Sequence, residues 1–210
     1  MNPLCFSRAA PFLFGALAAL LAPIPAPAAE PPAAAATEEN AAPAEAPRRP
    51  RYMLIGPDGK TVTNDQFYGR WQLISFGYTF CPDVCPTTLV EIAEVLKDLG
   101  ADAQRVQAIF ITVDPERDTP AVLNNYTQFF DPRILGLSGS PTMTRGVANQ
   151  FRVRYEKVRD PSHPPDYYLV DHTAGIYLLD PDGALVKNFP YTQPPNEIAE
   201  RLREFFSGKP

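Results

Sequence analysis

Cys81-Pro82-Asp83-Val84-Cys85 places two thiols in one short loop, and sulfur at that spacing supports two chemistries. The pair can cycle between dithiol and disulfide, or present two thiolates to a soft metal such as Cu(I). In an exported protein the plain alternative is a structural bridge. A loop this short weakens that alternative, because the stabilisation from a cross-link grows with the length of chain it closes. A thioredoxin-type redox site carries two residues between its cysteines. Here there are three, with Pro86 following, a wider loop than a dedicated dithiol exchanger uses.

Metal binding usually needs a further donor, and the chain has two histidines. His163 lies in Arg159-Asp160-Pro161-Ser162-His163-Pro164-Pro165, a stretch too proline-rich for core and read as exposed loop. His172 immediately precedes an apolar run, Thr173 to Leu179. A Cys2His set suits three-coordinate Cu(I), holds Cu(II) with an added weak ligand, and also occurs around catalytic zinc. Asp171, beside His172, either orients the imidazole or is an ordinary turn residue.

The elements that position these groups follow from periodicity. Trp71 to Tyr78 is a continuous apolar run of strand length, buried on both faces, that delivers the chain to Cys81. After Cys85, Leu89, Ile92, Leu96 and Leu99 recur at helical spacing, with Thr88 and Glu91 in capping-box register and Gly100 as terminator. Cys85 is thereby expected at or just before a helix N-terminus, where the dipole lowers a thiol pKa. Val106 to Val113 is a second buried strand, so the cysteines sit at the carboxyl end of the first strand of a crossover unit, the edge where open sheets place their sites.

Thr119 and Pro120 open a second helix, and Ser140-Pro141 a third that runs to about Gln150. Val153 to Lys157 and Tyr167 to Val170 read as short strands flanking the proline-rich insertion. Thr173 to Leu179 and Ala184 to Phe189 form a hairpin through Asp180-Pro181-Asp182-Gly183, and a last helix runs from Asn196. Met53 to Ile55 and Thr61 to Thr63 form a small leading hairpin around Pro57-Asp58-Gly59. The expected fold is α/β and thioredoxin-like, with an inserted helix and β-hairpin. In that plan the loop entering the last hairpin faces the cysteine loop, so His172 is expected close to Cys85 in space.

The first fifty of the 210 residues stand apart. Arg8, the apolar run Phe12 to Ala22 and Ala26-Pro27-Ala28 read as an export signal, expected over residues 1–28 as a cleaved signal peptide or an N-terminal anchor. The run is shorter than the roughly 18 residues expected of a membrane span. Cys5 precedes it and is expected to leave with the leader. Residues 29–50 read as a disordered Ala/Pro-rich linker. Residues 51–210 then make one domain, large enough to fold without a bridge. With a net charge of −5 and no basic cluster beyond Arg48, Arg49 and Arg51, nothing in the charge pattern suits nucleic acid.

Three separated stretches resemble one family: Phe76-Gly77-Tyr78-Thr79-Phe80-Cys81-Pro82-Asp83-Val84-Cys85-Pro86-Thr87, Val113-Asp114-Pro115-Glu116-Arg117-Asp118-Thr119-Pro120, and Val170-Asp171-His172-Thr173-Ala174. They are similar to the Sco/SenC proteins, thioredoxin-like copper chaperones for cytochrome c oxidase assembly. Gly136-Leu137-Ser138-Gly139 also fits. The resemblance implies that Cys81, Cys85 and His172 ligate one copper, as Cu(I), Cu(II) or both, and that it passes to the dinuclear copper site of oxidase subunit II. A second implied role is thiol-disulfide reduction of that target's cysteines, with Cys81 and Cys85 as the redox-active pair. Asp114 and Asp118 look structural by this comparison. The implied setting is the periplasm, with the protein soluble or tethered to the inner membrane through its N-terminal segment alone, and with another periplasmic copper carrier as a further partner.

Overall fold

The computed structural model describes residues 47–164 and 167–208. The expected leader, and all but the last residues of the expected linker, lie outside them. Pro-Asp-Gly turns the chain between β1 (Met53–Ile55) and β2 (Thr61–Thr63), which pair antiparallel with Met53 opposite Thr63. β3 (Trp71–Gly77) follows, and all seven of its residues are buried. Its apolar run has no polar alternation because both faces are covered.

α1 (Val84–Leu99) starts earlier than the sequence suggests. The Thr88/Glu91 capping box is not a cap: Thr88 lies inside the helix, where its hydroxyl donates back to the Val84 carbonyl at 2.9 Å. Pro86 is tolerated because a helix's first turn has no internal acceptor for its N–H groups, so nothing is lost by lacking one. Leu89, Ile92, Val95, Leu96 and Leu99 form the buried stripe, and Gly100, at φ 57°, ends the helix. A short 3-10 stretch leads into β4 (Val106–Thr112), which lies parallel to β3 with Trp71 opposite Val106.

α2 (Pro120–Phe130) is capped as expected, the Thr119 hydroxyl accepting from the Val122 N–H. Periodicity missed β5 (Ile134–Leu137), a four-residue edge strand parallel to β4. Three apolar residues interrupted by Gly136 are too short a run to register as a strand. α3 (Pro141–Gln150) is capped by Ser140.

β6 (Tyr155–Val158) and β7 (Leu169–His172) pair antiparallel as a separate two-stranded ribbon. β8 (Ile176–Leu179) and β9 (Leu185–Phe189) close the main sheet, whose order is β5-β4-β3-β8-β9, and α4 (Pro195–Phe206) packs on α1. The fold is thioredoxin-like, with α3 and the β6–β7 ribbon as the inserted helix and hairpin. Its core includes Leu73, Ile74, Ile109, Phe110 and Leu178, all fully buried. Each such side chain contributes about 1.5–3 kcal/mol over an exposed one.

Ahead of β1 the chain is already engaged from Arg48. Its carbonyl accepts from Leu185 N at 2.7 Å, and Arg49 Nη1 donates to the Asp182 carbonyl at 2.5 Å. Among the described residues no helix is long and apolar enough to cross a membrane.

Candidate metal centre

β3 ends at Gly77, and the chain turns through Thr79 and Phe80 before the cysteines. Glycine at that point is a matter of space. A Cβ there would lie 2.7 Å from Cys85 Sγ and 2.7 Å from Phe110 Cζ, closer than atoms of those types approach. Cys85, in the first turn of α1, therefore seats its sulfur directly against the end of β3, where only 2% of the residue is exposed. Cys81 lies ahead of the helix and is half-buried. Both cysteines are free.

His172 arrives from the ribbon. Its Nε2 lies 3.3 Å from Cys85 Sγ, and the ligand atoms of Cys81, Cys85 and His172 all lie within 4.8 Å of one another. Donors in a trigonal plane around one ion, at bonds of about 2.3 Å to sulfur and about 2.0 Å to nitrogen, stand roughly 3.7–4 Å apart. The three need only small adjustments to share an ion.

The imidazole's orientation comes from the main chain. His172 Nδ1 lies 3.1 Å from the Thr173 carbonyl, which can only accept, so the proton sits on Nδ1 and the Nε2 lone pair faces the sulfur. Asp171 does not orient the ring. Successive strand residues point to opposite faces, and Asp171 is exposed, opposite Glu156 across the ribbon. His163 stays in the exposed loop, its ring stacked on Tyr167 at 4.4 Å.

The electrostatics invert the expectation for the cysteines. Cys81, not Cys85, carries the activated sulfur. A hydrogen bond from Cys85, joined by the N–H groups of Asp83 and Cys85, pulls the Cys81 thiol well below the usual thiol range against the opposing effect of burial. Cys85 is pushed up by sharing its proton with Cys81 and by burial. The sequence put Cys85 at the helix end. In the structure its side chain points inward, and Cys81, two residues ahead of the Asp83 N-cap, receives the N–H groups of Asp83 and Cys85 at the helix start, where the dipole favours an anion.

Alkylation of the reduced, metal-free chain should accordingly label Cys81 first, at a rate nearly flat from pH 6 to 8. An ordinary thiol, with a pKa of about 8.5, would slow about tenfold per unit of falling pH. Rates of that ordinary form, or equal labelling of Cys85, would contradict the assignment.

Sequence reasoning passed over several supporting residues. Tyr78 reads as one more core aromatic, yet its hydroxyl accepts the Val170 N–H at 3.1 Å and its ring meets His172 edge-on at 6.1 Å. Asp118, fully buried, accepts from Thr79 N at 3.1 Å, Thr79 Oγ1 at 2.6 Å and Thr112 Oγ1 at 2.6 Å, pinning the cysteine loop to β4. Burial pushes its carboxyl upward in spite of these donors.

The site opens through a mouth of about 270 Å³ between Tyr78, Cys81, Pro82, Leu169, Asp171 and His172. A larger cavity of about 550 Å³ beside Glu116, Arg145 and Lys157 contains neither thiol nor imidazole. Its cations are engaged, Lys157 with Glu116 at 2.7 Å and Arg145 on the Tyr155 ring at 3.5 Å.

Comparison with known proteins agrees with this geometry. A family model described as SCO1/SenC matches residues 40–207. The SCO2-like protein of Rickettsia felis is 38% identical over 152 residues, covering 72% of this chain and 74% of that one. The solved structure of Bradyrhizobium japonicum ScoI with copper bound is 48% identical, with a TM-score of 0.68, covering 74% of this chain and 97% of that one. Arabidopsis thaliana ScoI with copper bound is 33% identical, with a TM-score of 0.70, covering 76% and 99%. A family match across most of the sequence, joined to that structural likeness, means that this chain belongs to the SCO1/SenC family.

Proposed function

We propose that this protein is a copper metallochaperone: Cys81, Cys85 and His172 take up one copper ion and deliver it to the dinuclear copper site of cytochrome c oxidase subunit II. The observation that carries the reading is the convergence of two free thiols and one imidazole within 4.8 Å, in a chain 48% identical to a protein solved with copper bound. Two thiolates make a soft site for Cu(I), and one imidazole leaves it less closed than a full thiolate cage. Partner thiolates entering through the mouth can displace the protein's donors one at a time. Oxidation of Cys81 and Cys85 to a disulfide removes the thiolates and ends binding. Redox state therefore gates loading.

In this reading residues 1–28 direct export and residues 29–50 act as a spacer whose last residues, from Arg48, dock on the domain. The domain works in the periplasm, free or tethered to the inner membrane, and receives copper from another periplasmic carrier. The support is the signal-like order of Arg8, the apolar run and Ala26-Pro27-Ala28.

The test is a Cu(I) titration of the reduced full chain, followed by mixing with the copper-binding domain of subunit II and measurement of the copper on each protein after separation. One copper per chain, moving to the partner, is expected. Copper that stays behind, or uptake unchanged by Cys81→Ala, would remove the proposal.

A second reading rests on two adjacent free thiols, the Cys81 thiol shifted down by its hydrogen bond from Cys85 and the buried Cys85 thiol shifted up. As a thiol-disulfide reductase, Cys81 attacks one sulfur of the target's disulfide and releases a target thiolate. Cys85, losing its proton, then attacks the mixed disulfide and frees the second thiolate. Two electrons pass to the target and the protein leaves as its own disulfide. His172→Ala separates the roles: copper retention falls while turnover on a subunit II disulfide stays within about threefold. Loss of both together would tie reduction to the metal site.

A further inference from the structure

The imidazole and the sulfurs ride on separate pieces of the fold. His172 ends a ribbon whose strands, among the described residues, pair only with each other, whereas the cysteines lie between β3 and α1. The sulfur–nitrogen distance therefore depends on whatever fastens the ribbon to the rest. Val170 N donates to the Tyr78 hydroxyl and Arg145 of α3 to the Tyr155 carbonyl, and beside these bonds one five-residue turn holds both sides.

Its end, Asp118, grips the cysteine loop through the two bonds from Thr79. Its beginning grips the ribbon. The Tyr168 hydroxyl donates to Asp114 Oδ1 at 2.9 Å, and Arg117 Nε bonds the other oxygen of the same carboxylate. Arg117 Nη1 donates to the Tyr168 carbonyl at 3.0 Å, and its guanidinium lies over the Tyr168 ring at 3.8 Å and the Phe80 ring at 4.9 Å. Lys157 on β6 reaches Glu116 at 2.7 Å. The turn itself is closed by Arg117 N and Asp118 N, which donate to the Asp114 carbonyl at 3.2 and 3.0 Å. A planar fork that bonds a carboxylate and a carbonyl at once is a task for arginine and not for lysine. Tyr168 stands four residues ahead of His172 on the same run of chain.

We propose that the turn from Asp114 to Asp118 is the caliper that sets the separation between the His172 imidazole and the two sulfurs, with Arg117 the positioning residue on the histidine side and Asp118 on the cysteine side. The inference rests on the copper-binding reading above. None of these residues needs to touch the ion.

The test measures Cu(I) affinity of the reduced full chain by competition with a chromophoric Cu(I) chelator. Wild type, Arg117→Ala, Thr79→Ala, His172→Ala and the two double variants with His172→Ala are compared. Arg117→Ala should lower affinity about 10–100-fold, as loss of a residue that orients a ligand commonly does. In the His172→Ala background it should cost no more than about twofold, because its route to the metal is gone. The Thr79→Ala loss should persist in both backgrounds. An Arg117→Ala loss of equal size with and without His172 overturns the caliper. Should circular dichroism show that Arg117→Ala is unfolded, Tyr168→Phe removes a single hydroxyl and makes the same comparison, with an expected loss of about 2- to 10-fold confined to the background that has His172. A wild type indifferent to His172 removes the copper-site reading itself. A His172-dependent wild type with additive Arg117 removes only the caliper.

Discussion

Cys85→Ser is expected to cost the reduced full chain at least about 100-fold in Cu(I) affinity. Structural zinc on four protein ligands is worth about 10–16 kcal/mol, roughly 3 kcal/mol per ligand, and every 1.4 kcal/mol is tenfold. A site of three donors that loses a thiolate retains one sulfur and one nitrogen, neither able to compensate. The position adds to the loss, because Cys85 Sγ lies 3.3 Å from His172 Nε2 and is pressed into the core beside Gly77. Serine's hydroxyl is a hard, protonated group and a poor match for Cu(I). Equilibrium competition with a chelator measures the change. An affinity within tenfold of wild type would mean that Cys85 is not a ligand.

Gly77→Ala is the second large effect, and it acts through packing. The added methyl would stand 2.7 Å from Cys85 Sγ and 2.7–2.8 Å from two atoms of the Phe110 ring, all buried against the middle of the sheet. Overpacking of this kind costs about 1–3 kcal/mol, and in a domain of this size each 1 kcal/mol moves the melting temperature by roughly 2–4 °C. The sulfur is also displaced from its neighbours, so copper affinity should fall together with stability, by about 10- to 100-fold. Thermal melting of the metal-free chain and chelator competition read the two effects separately. A variant that melts and binds like wild type would show that Cys85 has room to move, and that its seat against β3 is not what places it.

The cysteine pair and His172 were legible because a short list of soft donors meets a strand-helix-strand order that brings one sheet edge together. The hairpins were legible from Pro-Asp-Gly and Asp-Pro-Asp-Gly turns, and α2 from Thr119-Pro120. What the sequence concealed were contacts between distant segments. Thr88 and Glu91 mimic a capping box, yet the helix begins at Val84 because Pro86 needs no acceptor in a first turn. The choice of activated thiol turned on which sulfur faces inward, and a helix start misplaced by a few residues reverses that answer. Asp171 was the nearest acid in sequence, but strand alternation turns it away and leaves the task to the Thr173 carbonyl. Asp118 and Arg117 look like lead-in to a helix. Their role depends on Thr79 and Tyr168, residues 39 and 51 positions away.

The central claim is that one copper ion is shared by two sulfurs and one imidazole nitrogen. X-ray absorption on the reduced full chain loaded with one equivalent of Cu(I) tests it most directly. The expected first shell is two sulfurs and one nitrogen, with bonds of about 2.3 and 2.0 Å and with the imidazole signal lost in His172→Ala. A shell of sulfur alone, or one unchanged by His172→Ala, would contradict the account.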